Sequence, residues 1–263
     1  MEQPPQTQTI ARVVSQHRGL YRVLYNDNEF WAEVPGKAIY QATSQVDYPV
    51  VGDLVSIVTQ VAGHAIIERI LPRKNILQRK SAGKHNLQPI AANLDAAFIV
   101  QSVDRDFNPN RFERYLTVVE AAKIKSFLVL NKCDHITPEE LKEKMSLLAN
   151  RFKDIPILTT SILQVAGLDS LKKAIIPQHI YCVLGSSGVG KSSLINRLLS
   201  KDLQKTMEIS SQTKKGKHTT THRELFILEG GGMIIDNPGM RELGLADAKE
   251  GVRNLFTEIE QLA

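Results

Sequence analysis

The sequence predicts two unlike units in tandem, a small all-β barrel followed by a parallel α/β domain. Two observations carry this. Short alternating apolar segments fill the first 70 or so residues, and from Leu94 onward the pattern changes to strand–helix alternation.

In the first unit, residues 10–14, 20–25, 29–34, 54–58 and 65–69 are β-like. Turn signals separate them at His17-Arg18-Gly19, Asn26-Asp27-Asn28, Pro35-Gly36, Val51-Gly52-Asp53 and Ala62-Gly63. Five strands in so short a span suit a closed barrel of the OB type. Such barrels often present a face to single-stranded nucleic acid or structured RNA. The barrel is expected over residues 1–75; residues 71–89 break the period with two prolines, Gly83 and many cations, and residues 76–92 are expected as a basic linker.

In the second unit, residues 96–102 read as a buried strand and 109–122 as an amphipathic helix. Residues 126–131 form the next strand, and 138–151 a helix with Thr137 as its cap and Pro138 in its first turn. Segments 155–160, 168–175 and 179–184 continue the series, before a helix at 191–200 and strands at 225–228 and 233–236. Alternation of this kind implies a parallel sheet with helices on both faces.

A chain of 263 residues is long enough for two domains, and its 42% apolar content can build a real core. No run approaches the roughly 18–20 apolar residues of a membrane span. The start, Met1-Glu2-Gln3-Pro4-Pro5, has neither the basic nor the apolar region of a secretory signal. Cys133 and Cys182 belong to no C-x-x-C pair. A cytoplasmic protein without membrane contact is expected. The net charge is +5, with cations gathered at Arg69, Arg73, Lys74, Arg79, Lys80 and Lys84 and again over residues 214–223. That distribution hints at a polyanionic partner, although a solvated loop has the same composition.

Three motifs carry chemistry. Gly185-Ser186-Ser187-Gly188-Val189-Gly190-Lys191-Ser192 matches G-x-x-x-x-G-K-[ST], with Ser193 following, between an apolar strand and a helix. Glycines let the backbone N–H groups turn inward around phosphates, and the helix N-terminus adds positive potential. Lys191 is expected on the β- and γ-phosphates and the Ser192 hydroxyl on Mg²⁺. Asn131-Lys132-Cys133-Asp134 is an N-K-x-D at the carboxyl end of a strand. The Asp134 carboxylate can accept both donors of the guanine edge, a pair that adenine does not offer. Asn131 suits either the base edge or a brace on the P-loop, and the Lys132 stem can cover the base. Asp236-Asn237-Pro238-Gly239 supplies D-x-x-G, with Asp236 on Mg²⁺ through water and the Gly239 N–H at the γ-phosphate.

Two further assignments complete the expected site. Thr220, in the polar stretch 214–222, is expected to close the Mg²⁺ shell, and Thr160-Ser161 to sit in a second base-contacting loop. GTP and GDP are therefore the expected ligands. Met240, not glutamine, follows Gly239, so the water-positioning group must come from elsewhere. His218 is the best candidate, because an imidazole can orient or polarise water. A solvated histidine or an RNA contact is the plainer alternative.

The order of the motifs is rotated. N-K-x-D precedes the P-loop, which precedes D-x-x-G, whereas ordinary GTPases begin with the P-loop and end with N-K-x-D. The fold class is thus a circularly permuted α/β P-loop GTPase domain preceded by an all-β OB-fold barrel.

Over nearly its whole length the chain resembles the small-ribosomal-subunit-dependent GTPases of the RsgA family. The resemblance rests on Val51-Gly52-Asp53, residues 71–79, Ala92-Asn93-Leu94-Asp95, residues 106–111, the P-loop, His218-Thr219-Thr220-Thr221 and Ile235-Asp236-Asn237-Pro238-Gly239-Met240-Arg241. It implies a permuted GTPase domain over residues 93–246, and a monomer that acts on the small subunit and its rRNA late in maturation and is stimulated by that subunit. Permuted GTPases of the large subunit are the alternative. They usually carry Asn where this P-loop has Gly188, on which their potassium-assisted hydrolysis depends, and they lack the barrel. An RNA-binding module with a purely regulatory nucleotide site is the other alternative. Family members typically continue into a Cys/His zinc module. Here residues 247–263 read as a helical segment, the start of such a module, with no zinc ligands in the chain.

Overall fold

The structure, a computed structural model, describes residues 9–17, 19–60, 63–80, 87–104, 107–164, 166–199 and 223–236. The expected segment 247–263 and the residues His218, Thr220 and Gly239 lie outside these.

The five barrel strands are β1 (Thr9–Gln16), β2 (Leu20–Tyr25), β3 (Asn28–Glu33), β4 (Leu54–Thr59) and β5 (His64–Ile70). They follow the order β1-β2-β3-β5-β4, and β1 also pairs with β4, which closes the barrel. Alternate residues point inward, so Ala11, Val13, Tyr21, Val23, Ala32, Val55, Ile57, Ala65 and Ile67 fill it. Between β3 and β4 lies a short helix α1 (Gly36–Gln41), which the sequence reading did not contain. It buries no residue, so it leaves no apolar stripe to read.

Residues expected as an irregular linker form an antiparallel hairpin, β6 (Ile76–Lys80) and β7 (Leu87–Ala92). Leu77, Ile90 and Ala91 of this hairpin join Val14 and Val51 of the barrel in the main apolar cluster of the α/β domain. The cations and Pro89 obscured its period. Tertiary burial decides the conformation here.

The α/β sheet has the order β10-β9-β8-β11-β13-β12. Strands β8 (Ala96–Ser102), β9 (Lys125–Asn131), β10 (Ile157–Thr160), β11 (Ile180–Leu184) and β13 (Met233–Asp236) are parallel, and β12 (Glu224–Ile227) is antiparallel to β13. Every residue of β8 and β11 is buried, as a strand covered on both faces requires. Helices α2 (Pro109–Ala121) and α3 (Pro138–Arg151) cover one face through Phe112, Leu116, Val119 and Leu148. Helices α4 (Asp169–Ala174) and α5 (Lys191–Leu198) cover the other through Leu171, Leu194, Ile195 and Leu198. The Thr137 side chain accepts from the Glu140 N–H and completes a capping box, which starts α3 where the sequence reading placed it.

Chain order runs outward from β8 through β9 to β10 on one side, and from β11 to β13 on the other. The crevice at the carboxyl ends of β8 and β11 is therefore the topological switch point, where α/β sheets bind ligands. The barrel meets this sheet directly, because Ser15 of β1 pairs with Glu224 of β12.

Candidate functional site: a phosphate loop braced by a base-reading strand

The loop between β11 and α5 owes its path to three glycines. Gly185, Gly188 and Gly190 have φ of +146°, +83° and +96°, conformations that side-chain-bearing residues rarely adopt. At two of them space is also closed. A Cβ on Gly185 would run into the Val100 carbonyl, and one on Gly190 into the Asn131 amide. Val189 anchors the loop in the core, while Ser187, Gly188, Ser192 and Ser193 are exposed. Lys191 Nζ donates to the Gly185 and Ser186 carbonyls, at 2.8 and 2.6 Å, so its charge lies across the loop.

Asn131 ends β9 and is 2% exposed. Its Nδ2 donates to the Val189 carbonyl at 2.8 Å, and its Oδ1 accepts from Thr160 Oγ1 at 2.9 Å. Asn131 thus contacts the P-loop directly, as one of the two roles the sequence left open requires. Lys132 takes a left-handed conformation (φ 62°), which turns the chain so that Asp134 follows in a short helical turn. Ser161 Oγ donates to Asp134 Oδ1, and His135 Nε2 lies 3.4 Å from Oδ2. The Lys132 ammonium meets Asp104 Oδ2 at 3.1 Å. Cys133 Sγ donates to the Leu130 carbonyl, and burial pushes this thiol above its ordinary range. A cleft of about 430 Å³ flanks the Asp134–Ser161 pair, with Thr137, Thr160 and Ser170 among its walls.

Asp236 ends β13, 9% exposed. Burial raises its pKa; Lys191 opposes that rise and Glu224 adds to it. Lys191 of the P-loop and the D-x-x-G carboxylate are thus close enough to interact electrostatically. Among the described residues no group of three His, Cys, Asp or Glu could hold a metal. A single buried carboxylate suits Mg²⁺ shared with phosphates better than a protein-only metal cage.

Thr160, expected beside Ser161 in a base-contacting loop, hydrogen-bonds Asn131. Two supporting residues were not legible in the sequence: Asp104 pairs with Lys132, and Tyr115 on α2 hydrogen-bonds Ser186 of the P-loop. Only the tertiary fold brings them together, so no local spacing announces them. The basic cluster also reads differently. Arg73 pairs with buried Asp53, Lys74 with Asp95, and Arg79 Nε donates to Gln88. Arg223 Nη1 donates to the Pro89 carbonyl at 2.9 Å. Several cations that suggested a polyanion surface are thus engaged within the molecule.

The family model described as RsgA GTPase matches residues 70–246. The chain belongs to the RsgA GTPase family. It is therefore a GTP-hydrolysing enzyme with a guanine nucleotide as ligand. Among curated proteins, it is 39% identical to "Small ribosomal subunit biogenesis GTPase RsgA 2" of Lactiplantibacillus plantarum, covering 97% of this chain and 72% of that one. It is 40% identical to the RsgA protein of Methanosarcina acetivorans, covering 96% and 68%. Among solved structures, YjeQ from Thermotoga maritima superposes with a TM-score of 0.67 at 26% identity, covering 90% of this chain and 77% of that one. The circularly permuted GTPase YloQ shares the fold, with a TM-score of 0.65 at 23% identity, covering 94% and 77%. The permuted motif order is thus a property of the fold family.

Proposed function

We propose that this GTPase acts in late maturation of the small ribosomal subunit, binding that subunit through its rRNA, and that the subunit stimulates its hydrolysis. The supporting observation is the identity of about two residues in five, over 96–97% of the chain, to proteins named as small ribosomal subunit biogenesis GTPases. In this reading residues 1–75 and 93–246 are the barrel and GTPase domains, joined by 76–92 and followed by a helical segment at 247–263. The protein works as a cytoplasmic monomer.

The site residues divide the work. Asp134, held by Ser161, accepts the guanine donors, and Asn131 sets the P-loop against the base site. The inward amides of residues 185–190 and the N-terminus of α5 receive the phosphates. Lys191 leaves its loop carbonyls for the β- and γ-phosphates and offsets charge as water attacks in line. Ser192, Asp236 and Thr220 would hold Mg²⁺, which supplies further neutralisation of the phosphates. His218 orients the water and Gly239 reads the γ-phosphate. With no glutamine after Gly239, fast hydrolysis waits for the partner.

Sedimentation with purified small and large subunits, in GTP-analogue and GDP states, tests this. Triphosphate-favoured association with the small subunit, weakening as salt rises, is expected. Equal association with large subunits, or a GTPase rate that small subunits leave unchanged, would defeat the proposal.

A further inference from the structure

A single transverse row of paired residues runs from the barrel surface to the nucleotide site. His64 pairs with Trp31, Trp31 with Arg22, Arg22 with Ser15, Ser15 with Glu224, and Glu224 with Asp236. Residues directly opposite each other in neighbouring strands project to the same face and touch. The two ends differ in character. Trp31 is 41% exposed on the barrel, with the His17 ring 5.4 Å away, and His17 is bonded in turn to Ser15 Oγ. Asp236 is a buried carboxylate at the end of β13.

The middle of the row is ionic. Arg22 Nη2 donates to Glu224 Oε1 at 2.7 Å, while its Nε lies 3.2 Å from Glu29 Oε2. That buried Nε makes no hydrogen bond, so one guanidinium serves two carboxylates and fully satisfies only one. Such a contact has two arrangements available, toward Glu29 within the barrel or toward Glu224 at the switch. Glu224 and Arg223 are also the first residues after the expected switch segment. Both are tied to other units, Glu224 to β1 and β2 and Arg223 to the hairpin. Glu224 and Asp236 are directly opposed across β12 and β13.

We propose that Glu224, held by Arg22, is a positioning residue for Asp236 that couples the barrel to the nucleotide site. The inference deepens the GTPase reading above and rests on it. Nucleotide at the P-loop changes the demand on Asp236, and the change passes through Glu224 and Arg22 to the barrel face. A ligand that draws Arg22 away from Glu224 acts in reverse, as linkage requires.

The chain has one tryptophan, Trp31, so its fluorescence reports the barrel end without ambiguity. The experiment titrates the full chain with a non-hydrolysable GTP analogue and Mg²⁺. Binding is followed by calorimetry and Trp31 emission in parallel, for wild type, Arg22→Gln, Glu224→Gln and Arg22→Lys. In wild type the emission shifts at saturation. In Arg22→Gln and Glu224→Gln binding persists, the shift is lost, and kcat falls about three- to tenfold while KM holds within about twofold. Arg22→Lys restores both in part, and thermal melting shows whether each variant is folded. Calorimetric binding with silent Trp31 in wild type overturns the coupling alone, as does an undiminished shift and kcat in both glutamine variants. Absence of binding in wild type overturns the GTPase reading and the coupling with it.

Discussion

Two single residues show how the site and the core make different demands. Asn131 has no freedom, because its amide is spent on the Val189 carbonyl and its oxygen on Thr160. Asn131→Ala should remove the side-chain donor to the buried Val189 carbonyl and leave Thr160 only its longer contact to the Leu130 carbonyl, lowering stability by about 1–3 kcal/mol. GTP affinity should fall about tenfold as the P-loop relaxes. Calorimetric titration and denaturant melts measure the two effects, and unchanged affinity would mean that the brace is idle. Cys182, in the centre of β11, is fully enclosed, and burial pushes its thiol up to about 12 from 9.0. The folded chain keeps a proton that the unfolded chain releases above pH 9, so this contribution is intact below pH 9. It is lost as pH rises toward 12, by about 1.4 kcal/mol per pH unit. Cys182→Ala should flatten the stability profile in that window. A profile as steep as wild type would refute the assignment.

At the scale of elements, the turn before β4 is built around a buried charge. Asp53 is wholly enclosed, accepts from the Val50 N–H and binds Arg73 through both oxygens, at 2.8 and 2.7 Å. Arg73 also donates to the Val46 and Tyr48 carbonyls, so it ties the segment after β5 to the loop before β4. Removing one partner of such a pair strands the other charge. Arg73→Ala should therefore cost about 3–5 kcal/mol. Lys74→Ala breaks an equally short bridge, to Asp95, at a lysine whose side chain is 62% exposed, and should cost no more than about 1 kcal/mol. Denaturant midpoints separate the two, and similar losses would show that burial does not set the scale here. The sequence reading counted both residues simply as members of a cationic cluster.

At the scale of the molecule, barrel and α/β domain share a core and not merely a linker. Val14 and Val51 of the barrel lie in the same apolar cluster as Leu94, Ile99 and Phe112. One close approach is at Gly52, whose φ is +96° and whose absent Cβ leaves room for the Ala92 backbone. The Ala92 N–H donates to the Val51 carbonyl and Asn93 Nδ2 to that of Gly52. Wild type should unfold in one cooperative transition. Gly52→Ala should force the surfaces apart and give two transitions, with the first lowered by several degrees. Calorimetric scanning tests this, and a single unshifted transition would show that the junction is not the site of cooperativity.

The sequence by itself determined the local facts. Five barrel strands, the capped α3, the P-loop, the N-K-x-D and their rotated order all depend on residues adjacent in the chain, where period, turn chemistry and capping act. The tertiary structure alone decided what depends on distant partners. It turned a cationic stretch into a packed hairpin, because Leu77 and Ile90 found an apolar surface from the barrel. It put Asn131 in contact with the P-loop, because β9 and that loop end side by side. It also set Arg22 against Glu224, 202 residues later, because β12 pairs with β1. Burial and charge pairing are properties of what a residue faces, and only the closed fold supplies the facing partner.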